Sequence, residues 1–175
     1  MAYITRSELR AFGTPRESTA KAEAGRSERR TDSETQLFLS HSSRDRDLVG
    51  DAVEFFRRQG VKVYVDWTDG EMPDVPSPET AERLKEKIRE NRKFVLLASQ
   101  NSLASRWVPW ELGLADVIRG LDHMTVMPVR EGGQDYSGSE YVAIYSTIHS
   151  TTDGDWAVVL PGSNNGIRLS YWLRR

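Results

Sequence analysis

The chain has 175 residues, a formal net charge of -2 and no cysteine, with 38% hydrophobic and 29% charged side chains. That length suits one compact domain whose core needs no disulfide or metal staple, and the lack of cysteine excludes disulfides, thiolate metal sites and a cysteine nucleophile. The 24 basic and 26 acidic residues nearly cancel, which argues against a nucleic-acid binder, and no apolar run is long enough for a membrane span or a signal core; the expectation is a soluble cytoplasmic protein.

Residues 1–12 carry Tyr3, Ile4, Leu9, Ala11 and Phe12, with Ser7 as the expected N-cap. They read as a short amphipathic helix that packs on its own domain or docks on a partner. Residues 14–35 hold no large apolar side chain and balance five basic against five acidic residues, the composition of a linker or of a solvated helix. The division expected is therefore a charged N-terminal extension over 1–35 and a folded domain over 36–175.

Leu37-Phe38-Leu39 is a short apolar strand, ended by Ser40-His41-Ser42-Ser43. Leu48, Val49, Ala52, Val53 and Phe56 then form one face of a helix that Gly60 stops. Residues 61–65 are β-rich and run into Asp66-Trp67, followed by a loop with Gly70, Pro73, Pro76 and Pro78. Ser77 with Pro78 just inside is a helix start, and Ala81, Leu84 and Ile88 line that helix. Residues 94–98 are continuously apolar, as in a strand buried on both faces of a parallel sheet. A helix over 107–119 follows, with Ser105 as cap and Gly120 as stop, and then a strand over 124–129.

Gly132, Gly133 and Gly138 mark a loop. Residues 142–148 and 156–160 are strand candidates, joined at Asp153-Gly154 either as a hairpin or as one more βαβ unit. Asn164-Asn165-Gly166 reads as a turn, and residues 167–173 as a closing helix. Strands alternating with helices imply right-handed crossovers, so the class expected is α/β, a flavodoxin-like three-layer sandwich with a mainly parallel sheet.

Ligands of open α/β sheets bind beyond the carboxyl ends of the strands. That rule gathers Ser40, His41, Ser42 and Ser43, then Asp66 and Trp67, then Ser99, Gln100 and Asn101, at one rim, where Ser105, Trp107, Trp110 and Glu111 open the next helix. Hydroxyls, an imidazole, indoles and carboxylates together suit a polyhydroxylated, aromatic ligand. Glu111 stands out: it follows Trp107 by four residues on the same side of a helix whose next positions, Leu114, Ala115 and Ile118, are core-like. A carboxylate at that edge needs a partner or a ligand to offset its desolvation. The alternative is a glutamate bonded to backbone amides at its own helix start, where the dipole favours it. Other signatures are missing: no G-x-S-x-G, P-loop or G-x-G-x-x-G occurs, and His41, His123 and His149 are too scattered to suggest a metal.

These pieces, in this order, resemble a bacterial TIR (Toll/interleukin-1 receptor) domain. Residues 37–42 resemble its first-strand box, with Asp45 opening the first helix. Residues 63–67 resemble the second strand entering the variable loop. Ser99 to Ser102, and then 105–113, resemble the third-strand exit and the W-x-x-x-E helix. The likeness is good over about 36–130 and thin beyond. It implies cleavage of NAD+ as substrate, with no cofactor and no metal. Glu111 matches the catalytic glutamate, and Trp107 the aromatic residue four positions earlier. Ser40, His41 and Ser42 match the loop at the nicotinamide end, while Asp66 and Trp67 begin a mobile loop used in self-association, here rich in proline. Ser99, at the exit of the third strand, joins the substrate-binding set.

In NAD+ the nicotinamide is cationic and leaves neutral, so no general acid is needed, and an oxocarbenium ion develops at the ribose. Water capture gives ADP-ribose; capture by a group of the same molecule gives a cyclic product. A short TIR protein with a charged extension further resembles the signal-producing component of Thoeris-type antiphage systems, which reaches its effector through a nucleotide. The other class of reading is a non-catalytic scaffold that binds only other TIR domains. A transferase acting on nucleosides is a third.

Overall fold

A computed structural model of the chain describes residues 1–13, 36–72, 77–132 and 140–175. The readings of 14–35, of Pro73 and Pro76, and of Gly133 and Gly138 lie outside the described residues. The sheet runs β3 (Lys62–Tyr64), β2 (Gln36–Ser40), β4 (Lys93–Ala98), β5 (Met124–Arg130), β6 (Thr147–Ser150), β7 (Trp156–Val159), β8 (Gly166–Arg168). From β3 to β6 all neighbours are parallel; β7 and β8 are antiparallel additions. The parallel part has the flavodoxin-like order, in which the chain steps one way from β2 to β3 and the other way to β4. That reversal makes a switch point between the carboxyl ends of β2 and β4.

The period-2 alternation of the strands sorts the core into two layers. Leu37, Leu39, Val95, Leu97, Met127 and Val129 face one side, against α2 (Arg46–Arg58), α1 (Arg6–Gly13) and α6 (Leu169–Arg174). Phe38, Phe94, Leu96, Met124 and Val126 face the other, against α3 (Pro78–Glu90) and α5 (Val108–Arg119). All six residues of β4 are buried: Phe94 to Ala98 as their unbroken apolar run requires of a central strand, and Lys93 with them at the strand's start. Helix α3 starts where Ser77 and Pro78 mark it, with a reciprocal capping box between Ser77 and Thr80. Helix α5 ends at Gly120, whose φ of 73° a side chain would resist.

Four details differ from the sequence reading. Ser7 lies inside α1 rather than capping it: Thr5 Oγ accepts from the Glu8 amide at 3.2 Å and the Glu8 carboxylate accepts from the Thr5 amide at 2.7 Å. The preceding residues, Ile4–Thr5, form a short strand, β1, parallel to β5, and Ile4 and Leu9 are fully buried, so the N-terminal helix packs on its own domain. The strand expected over 142–148 begins only at Thr147. Glu140–Ile144 is a 3-10 turn because Val142 and Tyr145, three apart, are the buried positions while Ile144 is exposed. Finally, Gly166–Arg168 pairs with the free edge of β7, so the closing helix starts later, at Leu169. Gly166 permits that pairing: a Cβ there would lie 2.9 Å from the Val159 side chain and 3.0 Å from the Val158 carbonyl oxygen. The Asp153-Gly154 connection is the hairpin between β6 and β7.

Candidate active site

Glu111 enters the switch point from the first turn of α5. Ser105 aims that turn: its Oγ accepts from the amides of Trp107 at 3.2 Å and Val108 at 3.4 Å, and the Glu111 amide donates to the Trp107 carbonyl at 2.9 Å. The Glu111 side chain does not turn back on its own helix. It reaches the end of β2, where the Ser40 hydroxyl donates to Oε2 at 2.6 Å. Glu111 is 6% exposed and Ser40 1%. Burial pushes the carboxyl up to about 8; the Ser40 hydrogen bond opposes the rise and the negative charge of Asp66 adds to it. Among the described residues no Lys, Arg or His pairs with this carboxyl.

His41 follows Ser40 and its ring is held on both nitrogens. Nδ1 lies 2.9 Å from the Leu39 carbonyl, which can only accept, so Nδ1 carries a proton. Nε2 lies 3.3 Å from Asp66 Oδ1. Trp67 stands edge-on to the imidazole, with ring centroids 4.4 Å apart, and the Arg46 guanidinium lies 5.6 Å over the indole. Trp67, Trp107 and Trp110 are each more than a third exposed, and the last two pack edge to face at 5.5 Å. The rim thus presents open indole surface beside a dry carboxyl.

The remaining expected residues sit at the same rim with their hydroxyls engaged in local structure. Ser42 Oγ accepts from the Arg44 amide at 3.3 Å, capping the 3-10 turn Ser43–Asp45. Ser99 makes a capping box with Ser102 at the start of α4 (Gln100–Leu103) and donates to Asp45. Asn101 donates to the other oxygen of Asp45 at 2.7 Å. Asp45, buried, thereby ties the loop after β2 to the loop after β4. Its sequence neighbours mark it only as a helix start, and nothing in the chain order pairs it with Ser99. A second network also escaped sequence reading: Asp69 accepts from Arg83 on α3 and from Tyr64. Trp156 packs edge to face on Phe55 and Trp172 is buried, so both belong to the core, while half-buried His149 lies tilted against Tyr3 with ring centroids 4.5 Å apart. Among the described residues no three His, Asp or Glu side chains converge as a metal site would need, and no helix is long and apolar enough to cross a membrane.

Residues 37–156 match the TIR domain family. Over 149 residues, 79% of this chain and 75% of the relative, the sequence is 31% identical to a Bacillus cereus (strain MSX-D12) protein named as a probable 3' cyclic ADP-D-ribose synthase, ThsB'. Over 79 residues, 43% of this chain and 21% of the relative, it is 32% identical to a Cytobacillus dafuensis protein provisionally named cyclic ADP-D-ribose synthase TIR2.

Proposed function

The chain belongs to the TIR domain family, and from that premise we propose that it cleaves the nicotinamide–ribose bond of NAD+ and closes the ADP-ribose into a cyclic signal, with hydrolysis to ADP-ribose as the competing outcome. One observation carries this reading: Glu111 is buried and pushed up to about 8, yet its described partner is a neutral serine hydroxyl. A fold that holds a carboxyl so dry leaves it ready to meet a positive charge.

The nicotinamide ribose supplies that charge twice. In the ground state the ring is cationic, and its approach lowers the cost of ionising Glu111, so substrate entry favours the carboxylate. As the bond breaks, the charge moves onto the ribose and Glu111 stabilises it there. The Ser40 hydroxyl orients the carboxylate and favours its charged form. Trp107 covers the sugar and excludes water. His41 and Asp66, held against each other, border the nicotinamide end, with Trp67 above them. Ser42 and Ser99 serve by holding the loops that shape the rim. Which nucleophile captures the ribose depends on how fully this cover excludes water.

In this reading the product is a nucleotide signal of antiphage defence made in the cytoplasm. Self-association through TIR surfaces assembles the active form, and an effector is reached through the nucleotide. The test is to incubate purified protein with NAD+, crowded or with infected-cell lysate, and to follow nicotinamide and nucleotide products by mass spectrometry. Glu111→Gln and Glu111→Ala should lower turnover by about 10²–10³-fold while the fold survives. Full turnover in a folded Glu111 variant rejects the proposal, and persistent silence of the wild type favours the scaffold reading.

A further inference from the structure

We propose that Arg83, on α3 and away from Glu111, is a positioning residue for the site: by gripping Asp69 it holds the turn that sets Asp66 against His41. The inference rests on the reading of the Glu111 cleft as the place of reaction. Asp66 and Asp69 are the two ends of one 3-10 turn. The Thr68 amide donates to the Val65 carbonyl at 3.1 Å and the Asp69 amide to the Asp66 carbonyl at 2.9 Å. Fixing one end of so short a turn fixes the other.

The Asp69 end is the anchored one. Its side chain, 8% exposed, accepts from Arg83 Nε at 3.0 Å and from a terminal guanidinium nitrogen at 3.1 Å. It also accepts from the Tyr64 hydroxyl at 2.9 Å and the Glu71 amide at 3.1 Å. A two-point arginine–carboxylate pair in a partly buried setting is directional and strong, unlike an exposed ion pair. Arg83 also bonds Glu71 and lies 3.6 Å from Glu86, so its head is held from three sides. Tyr64 packs tilted against Phe38, with ring centroids 5.3 Å apart, and Lys87 lies over its ring at 5.7 Å, which fixes the far side of the clamp against the core.

The Asp66 end has less to hold it. Its carboxylate accepts from the Trp67 amide at 2.7 Å and faces His41 Nε2 at 3.3 Å, and its side chain is 38% exposed. Asp66 is also the charged side chain that bears on Glu111. The placement of that charge, and of Trp67 beside His41, is thus set by a pair whose members touch neither Glu111 nor Ser40.

The test uses the full chain with Arg83→Gln, Asp66→Asn, their double variant, and Arg83→Lys. If Arg83 acts through Asp66, each single substitution lowers the plateau of kcat/KM for NAD+ cleavage, read above about pH 9 where Glu111 is ionised in every variant, by about 10-fold, and the double variant is no worse than the weaker single. Arg83→Lys keeps one contact to Asp69 and recovers part of the loss. Losses that multiply, or an Arg83→Gln enzyme at wild-type rate, overturn the proposal. A second readout needs no turnover: the titration midpoint of the Glu111 carboxyl, followed by 13C NMR. Asp66→Asn removes a neighbouring negative charge and lowers that midpoint; Arg83→Gln should lower it in the same direction, and an unchanged midpoint again overturns the clamp. A wild type that releases no nicotinamide defeats the functional reading, and the titration then decides the clamp alone.

Discussion

Glu111→Gln should make the protein more stable, and increasingly so as pH rises. The glutamine keeps the shape and an oxygen that can accept from Ser40, but it carries no charge. In the folded chain the Glu111 carboxyl is raised from 4.5 to about 8. Between those values the folded state holds a proton that the unfolded state has released, so this group's contribution to stability falls with rising pH and is lost as pH passes through about 8. Each pH unit in that window is worth about 1.4 kcal/mol, giving a ceiling of roughly 5 kcal/mol in all. Water penetration and relaxation around the ionised form bring the expected gain at pH 9 to about 2–4 kcal/mol. The assay is urea denaturation of both proteins at pH 5, 6, 7, 8 and 9. Near-equal stability at pH 5 and a gap that widens to a plateau above pH 8 is the expected pattern. A gap that stays constant with pH would mean that Glu111 is ionised throughout and is not the desolvated group on which the chemistry is built.

Ser40→Ala removes the hydrogen bond that favours the ionised carboxyl, so the acid limb of kcat/KM should move up by roughly one pH unit, with more loss at pH 7 than at pH 9; parallel profiles would contradict this. In the wild type the acid limb of kcat should lie below that of kcat/KM, because bound cationic substrate favours the carboxylate; coincident limbs would deny the coupling between charge and substrate. Leu9 is fully buried in the layer shared with α2, so Leu9→Ala should cost about 2–4 kcal/mol in urea unfolding; no cost would separate the N-terminal helix from the core. Lys93 is 1% exposed, and burial holds its ammonium down to about 8 beside Trp172. Its folded form sheds the proton first, so the cost is present at neutral pH and relieved as pH rises above about 8. Lys93→Met should therefore gain about 1–2 kcal/mol at pH 7 and less at pH 10, and a variant less stable at pH 7 would show that the cation–π contact and the His123 contact at 3.2 Å together outweigh the desolvation.

Much of this molecule can be read along the chain because its signals are local. Hydrophobic period locates α2, period with a capping signal locates α3, the Ser105 and Gly120 boundaries locate α5, and the apolar run at 94–98 marks a strand buried on both faces. The pair Ser77-Pro78 marks a helix start through its own hydroxyl and its own missing amide. The parallel strand direction that βαβ crossovers impose then dictates that Ser40, Asp66 and Ser99 leave the sheet at one rim, so the neighbourhood of the site follows from connectivity.

Partnerships across the chain are another matter, because nothing local encodes them. β8 exists because β7 has a free edge and Gly166 lets the backbone approach it. Asp45 with Ser99, Asp69 with Arg83, and Glu111 with Ser40 are pairs 54, 14 and 71 residues apart. Chain order put Glu111 beside Trp107 but left two uses for its carboxyl, a bond to its own helix amides or a partner elsewhere. Packing chose the second, since α5 lies against β2 and excludes water from the space between them. The energy of that carboxyl depends on the solvent it has lost, and solvent loss is a property of the assembled layers rather than of any stretch of residues.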